Sequence, residues 1–327
     1  MTLHTESPNP DFTEIDNCPV CGHGDIEDHI RLPYCASDVE EYLFGYYAES
    51  GAMNRKEYAK FFHGQFYTLS KCKRCTAAFQ RNRPGPNVSD LVYNHWIPER
   101  RSGVLASAKL TLKDVQHYMS EAVKLISLSM RSTGIDALPR VRVLDHGMGN
   151  GFFCLALKAC FVEVWGTEFA SGRIEFGRQN SIKTLNISDE LPENYFHLIN
   201  TEQVMEHVPD PRQTIARLVK SLTKGGILKI SVPNSYSIEK GDMTIDWRAS
   251  RYARRSPMPL APLEHLQYYS RNCRRIIAED HGLELVELPR SYHLQYGNNW
   301  SVRGSVRNIG RLLFLNSMRN YFLLRKS

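Results

Sequence analysis

The sequence lacks any run approaching the ~18 consecutive apolar residues of a membrane-spanning helix. Its opening residues, MTLHTESPNPDFTEID, are polar and acidic, without the apolar stretch of a secretory signal. Neither sign of charge dominates. With 41 Lys and Arg against 35 Asp and Glu, the formal net charge is only +6. That balance, with no stripe of interleaved basic and aromatic residues, argues against nucleic acid and suits an anionic small molecule. Internal repeats and low-complexity tracts are also missing, which excludes solenoids and arrays. Cysteine, at 8 in 327 residues, is too sparse for a disulfide-stapled scaffold. The expectation is a cytoplasmic globular chain with one large α/β domain and a smaller appendage.

What is present begins with the placement of the cysteines. CPVC (18–21) and CKRC (72–75) each offer two thiolates from one tight turn, and Cys18, Cys21, Cys72 and Cys75 together make a tetrahedral structural zinc set. Cys35 lies outside both turns. Cys154, Cys160 and Cys273 fall in helical patterns, and all four of these read as packing residues. Between Asn17 and Pro86 long-range periodicity is weak, apart from a helix around Val39–Tyr47. Asp90–Pro98 and Leu105–Met130 read as helical.

From Val141 strands alternate with helices. VRVLDH, VEVWGT, IKTLNI, YFHLIN, GILKISV and LELVEL read as strands, and the alternation predicts a parallel sheet with right-handed crossovers. Asp210 caps a helix whose first residue is Pro211, and Gly282 stops a helix over Arg271–His281. After the first strand, Asp145 is followed by Gly147, Gly149 and Gly151. The glycines let backbone turn tightly and approach a ligand just ahead of a helix N-terminus. Glu168 ends the second strand, where a carboxylate can take both ribose hydroxyls. These features alone do not separate a dehydrogenase from a methyltransferase.

Four segments in order supply the separation. DHGMGNG (145–151), FHLINTEQVMEHVPDP (196–211), LTKGGILKISVPN (222–234) and LEHLQYYS (263–270) resemble the successive motifs of class I, Rossmann-like methyltransferases of the ubiquinone-biosynthesis type. The resemblance covers about residues 140–290 and implies S-adenosylmethionine as the methyl donor. Gly147, Gly149 and Gly151 would line its methionine end, with Asp145 organising the loop and Thr201 nearby on the fourth strand. Glu168 would hold the ribose, and Asp189 would lie near the adenine. KCKRCTAAFQRNRPGPNVSDLVYNHW (71–96) is similar to the second knuckle and following helix of zinc-ribbon methyltransferases of glycan and secondary-metabolite pathways. That places Tyr93, His95 and Trp96 either facing substrate or packed on the core. The implied organisation is a leader and zinc module over 1–86, linking helices over 87–140, the methyltransferase domain over 141–290, and a C-terminal strand or amphipathic helix over 291–327.

Methyl transfer to a hydroxyl gains from a base, and His207 and His265 are the candidates, each preceded by a glutamate, Glu206 and Glu264. A metal alternative comes from similarity to the ExxEH motif of small-RNA 2′-O-methyltransferases, at Gln203, Glu206, His207 and His265. Gln203 there removes a charge that such a site needs. Sugar C-methyltransferases of the zinc-containing group carry a tyrosine three positions before the histidine, where this chain has Pro262, and continue beyond the length seen here. Both departures favour O-methylation. Arg248, Arg251 and Arg254, with Arg255, are candidates for substrate phosphates, or a solvated face. Arg303, Arg307 and Arg311 form a basic helical stripe that could touch an anionic membrane or pack internally. The reading is a methyltransferase acting on a small molecule, most plainly a sugar hydroxyl. Its rivals are a nucleic-acid methyltransferase, a sugar C-methyltransferase and a non-catalytic binding protein.

Overall fold

The computed structural model describes residues 11–47, 55–96, 110–251, 253–288 and 321–327. The chain forms two compact units, one of residues 1–99 with 235–273, the other of 100–234 with 274–327. The first therefore takes residues 235–273 out of the span expected as a continuous domain over 141–290.

In the first unit the strands are β1 (Phe12–Glu14), β2 (Ile26–Pro33), β3 (Phe66–Cys72), β4 (Ala78–Gln80) and β5 (Asn82–Pro84). β1 pairs antiparallel with β5. β2, β3 and β4 form an antiparallel sheet whose far edge is the two-residue strand Gln267–Tyr268. Helices Ser37–Tyr47 and Arg55–Phe62 follow β2, and Pro86–Asp90 runs into a π-helical turn over Leu91–Trp96. The core is aromatic: Tyr34, Tyr58, Phe62, Tyr67 and Tyr268 are all fully buried. Tilted and edge-on rings such as Tyr58–Phe62 (4.5 Å between centroids) fill it without long aliphatic periodicity, which is why the sequence pattern there is weak.

The second unit opens on the helix Leu112–Thr133, closed by a Thr111–Asp114 capping box and by Gly134 at φ 74°. Its strands are β6 (Arg142–His146), β7 (Glu163–Glu168), β8 (Lys183–Asn186), β9 (Phe196–Glu202) and β10 (Leu222–Ser231). With Gln267–Tyr268 counted as β11, β12 (Leu283–Val286) and β13 (Tyr321–Lys326) complete them. The sheet order is β12-β13-β10-β9-β6-β7-β8. β6 to β10 are mutually parallel, as the alternation predicts. β13 departs from the all-parallel expectation, running antiparallel to both β10 and β12. Its central residues Phe322, Leu323 and Leu324 are buried, so the strand seals the sheet's core between its neighbours. Asp210 caps Pro211–Ser221 as expected, its carboxylate accepting from the Gln213 N–H. The order β8-β7-β6-β9-β10 puts a topological switch between β6 and β9, where open α/β sheets bind ligands. Among the described residues no helix is long and apolar enough to cross a membrane. The basic stripe at Arg303, Arg307 and Arg311 lies outside the described residues.

Candidate functional site

Cys18, Cys21, Cys72 and Cys75 come together in the first unit, buried, with their sulfurs all within 4.8 Å of one another. Cys18 and Cys75 lie 3.6 Å apart, as do Cys21 and Cys72. A tetrahedral zinc with ~2.3 Å bonds has S···S edges of about 3.8 Å, so the donor set fits that ion. The two turns are built alike. The Cys18 N–H donates to the His23 carbonyl and the Gly22 N–H to the Cys18 carbonyl. Correspondingly, Cys72 N–H donates to Ala77 and Thr76 N–H to Cys72. Gly22 (φ 73°) and Thr76 (φ 59°) take the left-handed corner of each knuckle. Cys273 is not a fifth ligand candidate. Its thiol donates to the Cys75 carbonyl, which also accepts from Ser270.

In the second unit β6 delivers Asp145 to the switch point, and the loop beyond carries Gly147, Gly149 and Gly151 at φ 73°, 54° and 70°. A Cβ on Gly147 would stand 2.5 Å from Val204 Cγ2, whereas one on Gly149 would meet nothing within 4 Å. The loop is thus packed at its base and open at its middle. Glu168 lies beside it. Its Oε2 accepts the Gly149 N–H at 2.9 Å, while Oε1 accepts from the backbone of Phe169 and Ala170. Beneath the loop, Thr167 Oγ1 accepts from Gly147 N–H and meets His146 Nδ1 at 2.8 Å. Burial pushes His146 down to about 3, so the ring is neutral there.

Burial likewise pushes Asp145 up to about 6, countered by hydrogen bonds from Asn200 (2.7 Å) and the Cys154 thiol (3.5 Å). Asn200, Lys229 and Glu202, which continue this network, were not identified from the sequence. Only strand register brings them to Asp145. Of the other expected cofactor residues, Thr201 is fully buried with its hydroxyl on the Lys229 carbonyl, and Asp189 closes the exposed turn after β8 by accepting the Asn186 N–H.

Glu206 is buried in the second unit and both its oxygens lack hydrogen-bond partners. Burial pushes its carboxyl up to about 8. His207 Nε2 stands 4.0 Å from it. Gln203, the departure in the ExxEH pattern, turns its amide to Ser231 Oγ. In the first unit Glu264 and His265 are buried, and Glu264 accepts the Tyr47 hydroxyl at 2.8 Å. His265 Nδ1 faces the Met258 carbonyl at 2.5 Å. A carbonyl only accepts, so Nδ1 carries a proton.

The remaining candidates separate. Trp96 packs in the aromatic core, 5.7 Å from the Tyr47 ring, while Tyr93 and His95 are exposed. Arg248 reaches Asp38, Arg254 lies over the Tyr236 ring, and Arg255 pairs with Asp242; Arg251 is exposed.

A family model described as a methyltransferase domain matches residues 111–288, more than half of the chain. The ubiquinone biosynthesis O-methyltransferase of Saccharophagus degradans is 28% identical over 119 residues, covering 32% of this chain and 50% of that protein. The protein of that name from Xanthomonas campestris pv. campestris is 28% identical over 109 residues, covering 30% and 45%. The chain thus spans about half the length of the curated relatives it matches. A solved S-adenosylmethionine-dependent methyltransferase from Mesorhizobium loti has 14% identity and a TM-score of 0.40, covering 59% of this chain and 94% of that one.

Proposed function

This chain belongs to the methyltransferase-domain family, and from that premise we propose that it transfers the methyl group of S-adenosylmethionine to a sugar hydroxyl of a small, anionic substrate. The observation that carries the donor assignment is the loop 147–151. Its middle glycine faces open space, with the Glu168 carboxylate bonded to its amide. The antiparallel β13 between β10 and β12 also departs from the 3-2-1-4-5-6 parallel order of dinucleotide-binding sheets, which favours a methyl donor over NAD.

Bound there, S-adenosylmethionine supplies an electrophilic methyl on a sulfonium, and the rest of the chemistry is positioning and proton transfer. Gly147, Gly149 and Gly151 admit the methionine end, Asp145 holds the loop, and Glu168 is the ribose contact, with Asp189 and Thr201 more peripheral. His265, its ring oriented by the Nδ1 bond to a carbonyl, is the base that takes the acceptor hydroxyl's proton. Glu264 and Glu206 set the surroundings of the two histidines, and His207 steers the acceptor. Tyr93 and the arginines Arg248, Arg251 and Arg254 are the candidate contacts for acceptor and phosphate. The four cysteines hold a structural zinc.

The O-methyltransferase names of the relatives support oxygen as the acceptor atom, and the zinc-ribbon resemblance supports a sugar. The test is incubation with methyl-labelled S-adenosylmethionine and a fractionated extract. Label should enter a small sugar-containing fraction, and base-stable label in nucleic acid would overturn the assignment.

A further inference from the structure

Asp145, Asn200 and Lys229 stand side by side across three strands. Asp145 pairs with Asn200 between β6 and β9, and Asn200 with Lys229 between β9 and β10. All three are buried. Lys229 Nζ donates to Asn200 Oδ1 at 3.0 Å, and Asn200 Nδ2 donates to Asp145 Oδ1 at 2.7 Å. The far oxygen of Asp145 accepts from the thiol of Cys154, on the helix Phe152–Ala159. Asp145 therefore ties the end of β6 to the helix beyond the glycine loop, bridging the loop from one side to the other.

An amide side chain can face either way, donor or acceptor first. An ammonium has only donors, so the group turned toward Lys229 must be the amide oxygen, and the NH₂ is then left facing Asp145. We propose that Lys229 is a positioning residue of the cofactor site, fixing the direction of the Asn200 amide so that Asp145 stays a carboxylate and keeps the loop in place. The proposal rests on the reading of loop 147–151 as the donor site.

Other groups also converge on Lys229. Glu202 takes a second donor of its ammonium, and Ser231 Oγ donates to the other Glu202 oxygen at 2.8 Å. From the helix Leu112–Thr133, Glu121 and Lys124 lie beside it as an ion pair, and the Tyr321 ring of β13 is 5.6 Å from Nζ. Facing Asp145 are Lys229 and Glu202, with opposite effects, together with Tyr118 and Cys154. Burial already pushes Asp145 up to about 6 with the Asn200 donor in place. If the amide turns around, its oxygen faces the carboxylate, and Asp145 takes up a proton near neutral pH and no longer accepts from both sides.

The experiment is calorimetric binding of S-adenosylmethionine to the full chain between pH 5.5 and 8.5. Wild type should weaken only below about pH 6. Lys229→Met should shift that midpoint up by at least a unit, losing about threefold or more against wild type at pH 6.5 while nearly matching it at pH 8.5. Lys229→Arg keeps a charged, donor-only group facing Asn200 and should leave the midpoint within half a unit of wild type. An unchanged profile in Lys229→Met, an equal loss at every pH, or an Arg variant that behaves like Met would each overturn the proposal. Should Lys229→Met fail to fold, Asn200→Leu removes the same donor, and an unmoved midpoint there has the same force. A wild type that binds no S-adenosylmethionine would overturn the donor reading instead. The pH dependence of thermal stability in the same variants then still decides the Asp145 tie.

Discussion

The backbone N–H of Gly149 donates to Glu168 Oε2 at 2.9 Å, joining the middle of the glycine loop to the end of the neighbouring strand. The loop amide and the proposed ribose hydroxyls therefore call on one carboxylate, whose second oxygen is engaged by the backbone of Phe169 and Ala170. Glu168→Ala should weaken S-adenosylmethionine by about 1–3 kcal/mol, roughly ten- to a hundredfold, and also lower thermal stability by a few degrees. Calorimetry and a melting curve check the two effects. Unchanged affinity, or tighter binding of NAD than of S-adenosylmethionine, contradicts the assignment.

The glycines of the loop should fail in different ways. At Gly147 a methyl group would collide with Val204 at 2.5 Å and the backbone is left-handed, so Gly147→Ala should cost about 2–4 kcal/mol of stability. At Gly149 the backbone is also left-handed but the space is open. Gly149→Ala should cost only about 1 kcal/mol in stability, and Gly149→Val should abolish cofactor binding in a folded protein. Urea unfolding and calorimetry on both positions separate these outcomes. Equal destabilisation at the two sites would contradict the picture of a loop packed at its base and open at its middle.

What was legible in the sequence was local. The knuckles at Cys18–Cys21 and Cys72–Cys75 and the Asp210–Pro211 helix start each complete their hydrogen bonds within a few residues, so pattern and structure coincide, and the Asp145–Gly151 loop is marked by its acid and glycine spacing although its amides bond to Thr167 and Glu168. What depends on distant pairing was not. Gln267 and Tyr268 are a two-residue strand that joins β4 nearly two hundred positions earlier, and no periodicity marks so short a pairing. The Asp145–Asn200–Lys229 row needs two strand registers known together, and a lysine inside an apolar strand reads simply as an interruption. β13 falls in the span where a C-terminal strand or helix is expected, but its antiparallel place between β10 and β12 depends on distant partners that no local pattern marks.

The cysteine cluster predicts about one zinc per purified chain. Cys72→Ser should lose it, because the remaining three thiolates leave one tetrahedral position empty, and should expose the first unit to protease. Metal analysis and limited proteolysis are the measurements. Full zinc occupancy in Cys72→Ser would end the idea.

Glu206 predicts a pH-dependent stability with a definite sign. Its carboxyl is pushed up to about 8 in the folded chain against about 4.3 when unfolded. Below about pH 4 both states hold the proton and nothing is lost. As pH rises toward 8 the unfolded chain ionises first, so folding is progressively opposed, and the penalty is full above 8. Glu206→Gln removes it. The variant should match wild type near pH 4.5 and exceed it by about 2–4 kcal/mol at pH 8, by urea unfolding. A variant less stable than wild type at pH 8 would show that Glu206 is held as an anion by a cation, the outcome a divalent metal at the Glu206–His207 pair would give.

The histidines carry the riskiest expectation. His265 has its Nδ1 proton committed to the Met258 carbonyl, which orients the ring. His207 is part-exposed and stands 4.0 Å from Glu206, whose burial pushes its carboxyl up to about 8, a poor partner for stabilising an imidazolium. His265→Ala should therefore cut turnover by roughly 10²–10⁴ while leaving S-adenosylmethionine affinity within about threefold. Added imidazole should restore part of the rate. His207→Ala should cost less, or should weaken acceptor binding together with rate, as expected of a steering residue. The measurement is initial-rate transfer of labelled methyl to the acceptor fraction, with cofactor affinity read separately by calorimetry. If His265→Ala keeps most of its activity and His207→Ala is inactive, the roles are exchanged. If chelation abolishes turnover while the cysteine-bound zinc stays in place, and divalent metal restores it, a divalent ion held by Glu206 and the histidines would activate the hydroxyl instead.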